Sequence, residues 1–473
     1  MKNRFNNIDS KEWLKFQKSW FLFQDDATLY RQHIRFFIKY DHPDYPPNLF
    51  YHGSSTKAIE AVAQENGAHL FTEPDASPQF QYALIDLREA IQKLRTRREF
   101  VTLRNELQEL VRLLYPRLVH RRFLTILASN RFLQETYFPL AWELAYSLFP
   151  GFSLKDEKIG CVQEPAHQEI QNDIFYVLNF RKDENATGEF LSSGKDFSHL
   201  SPLPPETTLF PRKWEIIKPP PRKKKEILHP AKFPENLVEQ FITRFTREGD
   251  NVFDPMSGTG STQLAALKLG RNGYGVELSE YFSDIARERL EEFLRPHQHS
   301  LFPESRPGVK YRILTRDVRE ISAVDFPPMD YLITSPPYWD MLNMKGAEYQ
   351  ARRREKGLPL KYSDDTNDLG NIHDYQQFLQ ELVEIYLNLL PLLKPGSYLT
   401  IVVKNIKKKG RNYPFAWDLA HELSRTIHLL PEFFWLQDDI QLAPYGYGNT
   451  FVSNTFHQYC LTFRKPLSSS FGA

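Results

Sequence analysis

Cysteine is nearly absent from this chain of 473 residues, which carries only Cys161 and Cys460. Two cysteines cannot build a disulfide framework or a cysteine-based zinc cluster. The sequence also lacks the run of about 18 apolar residues that a membrane-spanning helix needs, and no apolar signal region follows Met1. These absences predict a cytoplasmic protein with no membrane partner and no bound metal.

An excess of positive charge is lacking as well. The chain has 60 lysines and arginines against 59 acidic residues, for a net charge of +1. Proteins that hold nucleic acid by their overall charge are strongly basic, so any basic surface here must be local. Hydrophobic residues make up 41% of the chain, enough for real cores, and the length predicts two domains.

The first part of the chain is dominated by helical spacing and shows no apparent internal repeat. Apolar residues recur at helical intervals between Tyr82 and Phe149. A proline- and lysine-rich stretch follows, which favours an extended linker. We therefore predict a mainly helical N-terminal domain over 1–195, a linker over 196–225 and an α/β domain over 226–466. Eight arginines lie in the helical region, either facing a groove or simply exposed: Arg95, Arg97, Arg98, Arg104, Arg112, Arg117, Arg121 and Arg122.

Strand and helix patterns alternate in the last part of the chain, which indicates a mostly parallel sheet covered by helices. Ligands then bind beyond the carboxyl ends of the strands. The predicted strands are Asn251–Asp254, Tyr274–Leu278, Tyr311–Arg316, Tyr331–Thr334, Tyr398–Val403 and Phe456–Phe463. The predicted helices are Gly258–Leu269, Ser279–Leu294, Asp374–Leu393 and Phe415–His428.

A glycine-rich turn joins the first of these strands to a helix. Glycine lets the backbone approach a ligand closely, and a helix N-terminus favours an anionic group such as a carboxylate. The turn consists of Asp254, Pro255, Met256, Ser257, Gly258, Thr259, Gly260, Ser261 and Thr262. Glu277 and Leu278 end the next strand, where an acidic side chain can accept ribose hydroxyls. Asp317 and Val318 follow the third strand, in a place suited to an adenine edge.

Alone, such a turn is only a connection between strand and helix, and with an acidic strand end it predicts a nucleoside ligand. A dinucleotide is the alternative. The turn lacks the third glycine of G-x-G-x-x-G, and the preceding Asp254 would repel phosphates and attract an ammonium group. The gap from Thr259 to Lys268 excludes a Walker A loop.

A second turn, with the sequence Ser335-Pro336-Pro337-Tyr338-Trp339, ends the fourth strand. Proline fixes the backbone and leaves carbonyl groups free. An exocyclic amine is a poor nucleophile that needs hydrogen-bond acceptors, which the Ser335 hydroxyl and the Pro336 carbonyl can supply. Tyr338 can stack on a base. The alternative is a packing turn with two core aromatics, which the adjacent glycine-rich turn makes less attractive.

These motifs resemble those of the DNA amino-methyltransferases, the cytosine-N4 and adenine-N6 enzymes of restriction–modification and phage-defence systems. The resemblance covers about 226–465. Ser335–Tyr338 is similar to their S/D/N-P-P-Y signature, Asp254–Gly260 to their glycine-rich loop and Glu277 to their ribose acceptor. His229, Lys232 and Phe233 lie in a segment similar to the one these enzymes place beside the methionine moiety.

The resemblance implies a Rossmann-like methyltransferase domain with a mostly parallel seven-stranded sheet and S-adenosylmethionine as cofactor. It implies site-specific methylation of an exocyclic amine on a base flipped out of double-stranded DNA. Serine at position 335 favours cytosine N4, and adenine N6 stays open. The cofactor segment precedes the catalytic turn, unlike in the permuted class. A restriction endonuclease or another defence subunit is left open as a further partner.

Two other functions compete with this one. Asp-Pro-Met followed by Gly-x-Gly also resembles RNA guanine-N2 methyltransferases, although those carry Asp-Pro-Pro-Tyr. A DNA-binding protein with an inactive methyltransferase fold is the non-enzymatic alternative, and it has no need of an intact Ser335–Tyr338 turn. A fused nuclease would be a fourth reading, but the first half shows no zinc-type or histidine-rich cluster.

Basic segments near the catalytic turn are the predicted nucleic-acid contacts, each with a solvated surface as the alternative. One holds Arg352, Arg353 and Arg354, and the other holds Lys407, Lys408 and Arg411, with Trp339 beside them. We assign target recognition to the N-terminal domain, because little chain remains for a recognition domain after the catalytic turn.

Overall fold

Two mixed β-sheets, one in each half of the chain, form the framework of the protein in the computed structural model. We call residues 3–183 the first half and residues 195–467 the second half. The structure describes residues 3–74, 78–148, 151–164, 171–183, 195–219, 233–295, 308–339, 368–408, 411–439, 442, 447–448, 451 and 453–467. Within these ranges, no helix is long and apolar enough to cross a membrane.

The first half is an α/β unit built on a seven-stranded sheet with the order β1-β8-β9-β5-β4-β2-β3. Its strands are β1 (Trp20–Leu22), β2 (Asn48–His52), β3 (His69–Phe71), β4 (Phe80–Asp86), β5 (Leu118–Ala128), β6 (Arg131–Leu133), β7 (Thr136–Phe138), β8 (Phe152–Glu164) and β9 (Gln171–Lys182). Its helices are α1 (Ser10–Phe16), α2 (Asp26–Phe37), α3 (Thr56–Glu65), α4 (Arg88–Lys93), α5 (Arg97–Leu114) and α6 (Leu140–Ser147).

The prediction of a mainly helical N-terminal domain is therefore wrong. Helix α5 exists as expected, begins with a capping box formed by Thr96 and Glu99, and buries one apolar face. Strand β4, by contrast, is buried at every position, and most of β5 is buried too. Strands covered on both faces lack the alternation of polar and apolar residues, so their apolar runs are easily taken for helix.

The second half carries a nine-stranded sheet with the order β10-β19-β20-β15-β14-β11-β12-β13, in which β18 also pairs with β20. The strands of this half are β10 (Trp214–Ile216), β11 (Asn251–Asp254), β12 (Asn272–Glu277), β13 (Tyr311–Thr315), β14 (Met329–Thr334), β15 (Leu393–Val403), β16 (Ile406–Lys408), β17 (Arg411–Tyr413), β18 (His428–Leu429), β19 (Phe433–Leu436) and β20 (His457–Arg464). Of these, β16 and β17 pair with each other in a separate hairpin. Its helices are α7 (Glu235–Phe245), α8 (Ser261–Lys268), α9 (Glu280–Leu294), α10 (Tyr375–Leu389) and α11 (Phe415–Leu423), with 3₁₀ turns at Val318–Glu320, Leu369–Asn371 and Leu390–Leu392.

The predicted α/β fold of this half is confirmed, with nine strands in the sheet rather than seven. Strands β11 to β15 are parallel, and β20 is antiparallel to β15 and β19. The carboxyl ends of β11, β12 and β14 therefore meet at one edge of the sheet, which is where a ligand binds in such a fold.

The two halves repeat one topology, so the expectation that the chain has no internal repeat is also wrong. Strand for strand, β1-β8-β9-β5-β4-β2-β3 matches β10-β19-β20-β15-β14-β11-β12 in order and direction, and β13 is added at the end. The hairpin of β6 and β7 matches that of β16 and β17. The repeat shows in the sequence once the segments are aligned: FPLAWELA at 138–145 matches YPFAWDLA at 413–420.

The repeated segments contact each other between the two halves. Trp142 and Trp417, which occupy equivalent positions in α6 and α11, stack with ring centroids 5.9 Å apart and planes 11° apart. In each half an asparagine accepts a hydrogen bond from the second residue of the helix: Ala141 N to Asn130 and Ala416 N to Asn405, both 2.9 Å. One hydrophobic core runs through both halves.

The segment 195–219 is packed against both halves, which corrects its assignment to a free linker. Lys195 binds Asp418 at 2.5 Å, and the Phe197 N–H donates to Glu143. Strand β10 then joins the second sheet beside β19. The prolines keep this stretch extended, and three of its side chains, Phe197, Trp214 and Ile217, are buried against the fold. The basic run 222–225 lies outside the described residues.

Candidate active site

Asp254, the last residue of β11, is the centre of the site. It is 1% exposed, and its carboxylate accepts hydrogen bonds from Met256 N at 3.0 Å, Thr262 Oγ1 at 2.6 Å and Thr334 Oγ1 at 2.7 Å. Burial raises the pKa of Asp254 to about 6, while these hydrogen bonds oppose the rise. Asp254 thus braces the glycine-rich loop and ties it to the end of β14.

The Thr334 bond is important because it spans two motifs that are far apart in sequence. Thr334 is the last residue of β14, directly before the Ser335–Tyr338 turn, and β14 is the parallel neighbour of β11. The hydroxyl of Thr334 therefore fixes the Ser335–Tyr338 turn relative to the glycine-rich loop. The structure brings together the two motifs that the sequence analysis singled out.

Glu277, at the end of β12, lies against the glycine-rich loop. Its carboxylate accepts from Gly258 N at 2.7 Å and from Ser279 N at 2.9 Å. Burial, together with the charges of Asp254 and Asp368, raises the pKa of Glu277 to about 7, while the two hydrogen bonds oppose the rise. The side chain is half-buried by exposed area, and such a carboxylate gains from an additional donor such as a ribose hydroxyl.

The glycines around this loop leave no room for side chains. Gly260 has a φ of +74°, and a Cβ there would lie 2.9 Å from the Cβ of Ala286. A Cβ on Gly275 of β12 would lie 2.0 Å from Ser257 Oγ. Close packing of the loop on β12 and α9 thus depends on glycine at both positions.

Tyr338 is held from two sides. Its hydroxyl donates to Gln458 Oε1 of β20 at 2.8 Å, and the Lys404 ammonium lies 5.1 Å from its ring centroid. Burial raises the pKa of Tyr338 and lowers that of Lys404, and the neighbouring charge of Lys407 lowers the Lys404 pKa further. A fixed ring at the end of β14 is suited to stacking on a base.

Ser335 and Pro337 are partly exposed, whereas Pro336 is buried. The Trp339 N–H donates to the Pro337 carbonyl at 3.2 Å, and Trp339 adopts a φ of +42°. A positive φ at a bulky aromatic residue is strained, and such strain is concentrated at functional turns.

Trp339 is a packing residue, which corrects its assignment to nucleic-acid contact. It is 4% exposed, its ring packs on Tyr375 and Tyr413, and its Nε1–H donates to the carbonyl of His373. The packing alternative weighed for this aromatic is thus correct, while Tyr338 remains at the site.

The other predicted cofactor residues have different surroundings. Phe233 is buried in the core beside α7, and His229 and Lys232 lie outside the described residues. Asp317 caps the 3₁₀ turn that begins at Val318, and its carboxylate pairs with Arg319 at 2.6 Å. Asp317 and Val318 follow β13, which pairs with β12, the strand that ends at Glu277.

The basic residues predicted to contact nucleic acid also differ in their surroundings. The Lys407 ammonium binds Asp156 of the first half at 3.3 Å, and Lys408 covers the ring of Trp339 at 3.5 Å. Arg411 is exposed beside Tyr413. Only Arg411 thus offers a free face among these three, and Arg352, Arg353 and Arg354 lie outside the described residues.

Several arginines of the first half have partners within the fold. Arg97 and Arg104 both bind the buried carboxylate of Glu143 at 2.6 Å. The Arg122 guanidinium is buried and donates to the carbonyl of Phe5. These contacts are structural, so the three arginines do not form a surface for a nucleic-acid groove.

Two residues of the site, Lys404 and Gln458, were missed by sequence reasoning, and Thr334 was identified only as the end of the fourth predicted strand. No local motif marks Lys404 and Gln458, because each reaches the site from a different strand. Lys404 had one available signal, since it directly follows the carboxyl end of a predicted parallel strand. Among the described residues, no group of three histidine, cysteine or acidic side chains could hold a metal ion.

Known proteins match parts of this chain. The DNA methylase model N6_N4_Mtase matches residues 92–288, which include the glycine-rich loop and Glu277 but not the Ser335–Tyr338 turn. The orphan methyltransferase M.BamHII of Bacillus amyloliquefaciens is 44% identical over 70 residues, 15% of this chain and 26% of that protein. The type II methyltransferase M2.DpnII of Streptococcus pneumoniae is 43% identical over 63 residues, 13% of this chain and 24% of that protein.

A longer match is to the type II methyltransferase M.MjaI of Methanocaldococcus jannaschii, 29% identical over 134 residues, 27% of this chain and 41% of that protein. The chain thus spans less than half the length of these relatives. A putative methyltransferase structure from Thermoplasma acidophilum aligns with 48% of this chain and 74% of that chain at 15% identity, with a TM-score of 0.27 that is too low to bear on the assignment. The family model and the curated relatives thus show that part of this chain is similar to DNA methylases of the N6/N4 type.

Proposed function

We propose that the protein is a site-specific DNA methyltransferase that uses S-adenosylmethionine to methylate an exocyclic amine of a flipped-out base. The observation that carries the proposal is the 2.7 Å hydrogen bond between Thr334 and Asp254. It joins the end of the strand before Ser335–Tyr338 to the glycine-rich loop, so that an acceptor-rich turn and a nucleoside-type site share one edge of a parallel sheet.

The residues present fit the proposed cofactor. Glycines 260 and 275 allow the loop to pack where a Cβ would collide, and the Glu277 carboxylate ends the strand beside that loop. Asp254 contributes mainly by holding the loop, because its oxygens already accept three hydrogen bonds from the protein. S-adenosylmethionine bound there would supply a methyl group already activated by a sulfonium.

The turn supplies what the amine needs. The Ser335 hydroxyl and the Pro336 carbonyl accept hydrogen bonds from the amine and draw its nitrogen toward tetrahedral geometry. Tyr338, fixed by Gln458 and covered by Lys404, provides a face for the flipped base. Holding the amine in line for attack accounts for much of the expected rate, because orientation alone can contribute several kcal/mol.

We further propose cytosine N4 as the target atom, with adenine N6 as the alternative. The support is the residue type at position 335: a hydroxyl is typical of cytosine-N4 enzymes, and a carboxylate or amide is commoner in adenine-N6 enzymes. An RNA guanine-N2 activity, and DNA binding without turnover, are the remaining alternatives. Double-stranded DNA is the proposed partner.

The proposed division of labour gives the second half the chemistry and the first half target recognition. Arg97, Arg104 and Arg122 lend no support to recognition, since all three bind groups within the fold. The test compares the modification sites of the full chain with those of a chain whose exposed first-half residues are changed. Unchanged sites would remove recognition from the first half.

The deciding experiment is mass spectrometry of nucleosides from DNA and RNA of cells that express the full chain, with a Ser335→Ala variant as the matched control. N4-methylcytosine in DNA, absent from the control, is the expected result. N6-methyladenine would keep the reaction and change the base. Methylguanine in RNA alone, or no methylated base at all, would overturn the proposal.

A further inference from the structure

Glu157 is a buried carboxylate of β8 in the first half that reaches into the second half. It is 3% exposed, accepts a hydrogen bond from Asn405 Nδ2 at 2.6 Å, and accepts another from the hydroxyl of Tyr459. The Nε2 atom of His457 lies 3.8 Å from the same carboxylate. Every one of these neighbours belongs to the second half, so Glu157 acts across the contact between the halves.

The partners of Glu157 belong to the two segments that hold Tyr338. Asn405 directly follows Lys404, whose ammonium covers the Tyr338 ring. His457 and Tyr459 flank Gln458, which accepts from the Tyr338 hydroxyl at 2.8 Å. Side chains alternate along a strand, so Gln458 points to one face of the sheet while His457 and Tyr459 point to the other, toward Glu157. One carboxylate therefore anchors both supports of the catalytic tyrosine from behind.

The internal repeat provides an equivalent network around a second buried glutamate. Glu432, just before β19, is the counterpart of Glu157 and is 2% exposed. It accepts from Asn130 Nδ2 at 3.1 Å, from the Tyr176 hydroxyl at 2.8 Å, and from the Tyr137 hydroxyl. Asn130 and Tyr176 are the counterparts of Asn405 and Tyr459 in the repeated topology.

The turn after β4 and the turn after β14, which lie beside the two networks, differ in sequence. The strand register pairs Tyr82 with Phe123 in the first half and Tyr331 with Tyr398 in the second, so Asp86 takes the place of Ser335. The first half therefore carries Asp86-Leu87-Arg88-Glu89 where the second half carries Ser335-Pro336-Pro337-Tyr338. The Glu432 network supports a turn without the catalytic residues.

We infer that Glu157 is a positioning residue for the methyl-transfer reaction, supplied by the first half and acting through Asn405 and β20 on Tyr338. The inference rests on the proposed function. It gives the first half a role in turnover in addition to any role in recognition. Glu432 makes the same kind of contact and holds the contact between the halves without acting on the chemistry.

The physical cost of losing either carboxylate is similar, and this makes the two glutamates a matched pair. A glutamine at either position keeps the shape but has one acceptor oxygen in place of two. One donor of each network would then be left unpaired in a buried place, which lowers stability. Only at Glu157 would the resulting shift reach the catalytic turn, where misplacement by about 1 Å can cost 10²-fold in rate.

The test measures kcat, the KM for DNA, cofactor affinity and melting temperature for the full-length protein, Glu157→Gln and Glu432→Gln. We expect both variants to lose similar stability. We expect kcat of Glu157→Gln to fall on the order of tenfold or more, with little change in cofactor affinity or KM. Glu432→Gln should keep kcat within about twofold, and Glu157→Asp should restore part of the lost rate.

A milder pair guards against variants that do not fold. Tyr459→Phe removes a hydroxyl donor to Glu157, Tyr176→Phe removes one to Glu432, and both variants keep the ring. A lower kcat in Tyr459→Phe alone supports the inference. Equal kcat values in both members of each pair overturn it. If the parent protein makes no methylated base, the proposed function itself fails, and that outcome is distinct from an active parent whose variants turn over equally.

Discussion

The two halves share a fold and differ at the edge where parallel sheets bind ligands. In the second half, Asp254 holds a glycine-rich loop and Ser335 follows the next strand. By strand register, Tyr51 stands in the first half at the position of Asp254, and Asp86 at that of Ser335. The same backbone thus carries the glycine-rich loop and the Ser335–Tyr338 turn in one half and a different set of side chains in the other.

The edge of the first half is occupied by its own ion pairs. Arg88 binds Asp86 at 2.5 Å and Asp26 at 2.6 Å, and its guanidinium lies 4.7 Å from the ring centroid of Phe175. Tyr30 donates to Asp86 at 2.7 Å. Charged groups that could serve a ligand are here satisfied internally. The edge of a sheet can therefore carry internally paired side chains in one half and a different set of side chains in the other while the strand order is kept.

The largest effect on stability is expected from Arg88→Met. The substitution leaves Asp86, whose side chain is 5% exposed, without its cationic partner. Breaking a buried pair in this way costs about 3–5 kcal/mol. Chemical denaturation should show this loss, while cofactor affinity at a permissive temperature stays unchanged. Arg31→Met removes an exposed partner of Glu65 and should cost much less stability, because solvent screens an exposed ion pair. Equal losses in the two variants would show that the edge of the first half is not held by Arg88.

The next effect concerns turnover and separates the equivalent positions. Ser335→Ala removes an acceptor for the amine and should lower kcat about 10²-fold, with little change in melting temperature, because the side chain is partly exposed. Asp86→Ala should do the reverse, since it removes one of the two carboxylates that bind Arg88 and touches no reacting group. If Asp86→Ala abolishes turnover in protein that is still folded, or if Ser335→Ala turns over normally, the assignment of turnover to Ser335 and of stability to Asp86 is wrong.

The second half could be predicted from sequence because its helices and strands alternate. The predicted strand Asn251–Asp254 is confirmed, and the expected helix over Asp374–Leu393 is observed as Tyr375–Leu389. The loop and the Ser335–Tyr338 turn were found because their residues are contiguous. The bond from Thr334 to Asp254 and the contacts of Glu157 depend on tertiary packing, which no local spacing reveals.

The first half could not be predicted in the same way, although a signal was present. Strand β4 is buried at all seven positions, so its pattern shows no period of two. The Pro-x-Ala-Trp-x-Leu-Ala match between 139–145 and 414–420 was available and would have indicated a second sheet. The identical residues of the repeat indicate that the two halves share one topology. Hydrophobic periodicity alone does not indicate it.

A smaller effect is expected where the backbone of the second half is crowded. Gly275→Ala would place a Cβ 2.0 Å from Ser257 Oγ and 2.3 Å from Gln263 Nε2. Overpacking of this kind costs about 1–3 kcal/mol, and the shift of Ser257 should also weaken cofactor binding. Gly308→Ala is the control, since a Cβ there meets nothing within 4 Å. Calorimetry and thermal melts of both variants would show whether close packing at Gly275 matters, and identical results would argue against it.

The smallest effect is a pH dependence that belongs to the second half alone. Burial raises the pKa of Glu277 to about 7. If the ionised carboxylate accepts the ribose hydroxyls, cofactor affinity should fall about tenfold from pH 8 to pH 6, since each pKa unit is a factor of ten. The same shift means that the cofactor-free protein loses stability as the pH rises from the ordinary value of 4.5 toward 7. Titration calorimetry of the parent and of Glu277→Gln tests both statements, because the variant should bind weakly and lack the pH dependence of affinity.

The stoichiometry should be one cofactor per chain at either pH, since Arg88 pairs with the carboxylates at the equivalent edge of the first half. A second equivalent would mean that this half has kept a site.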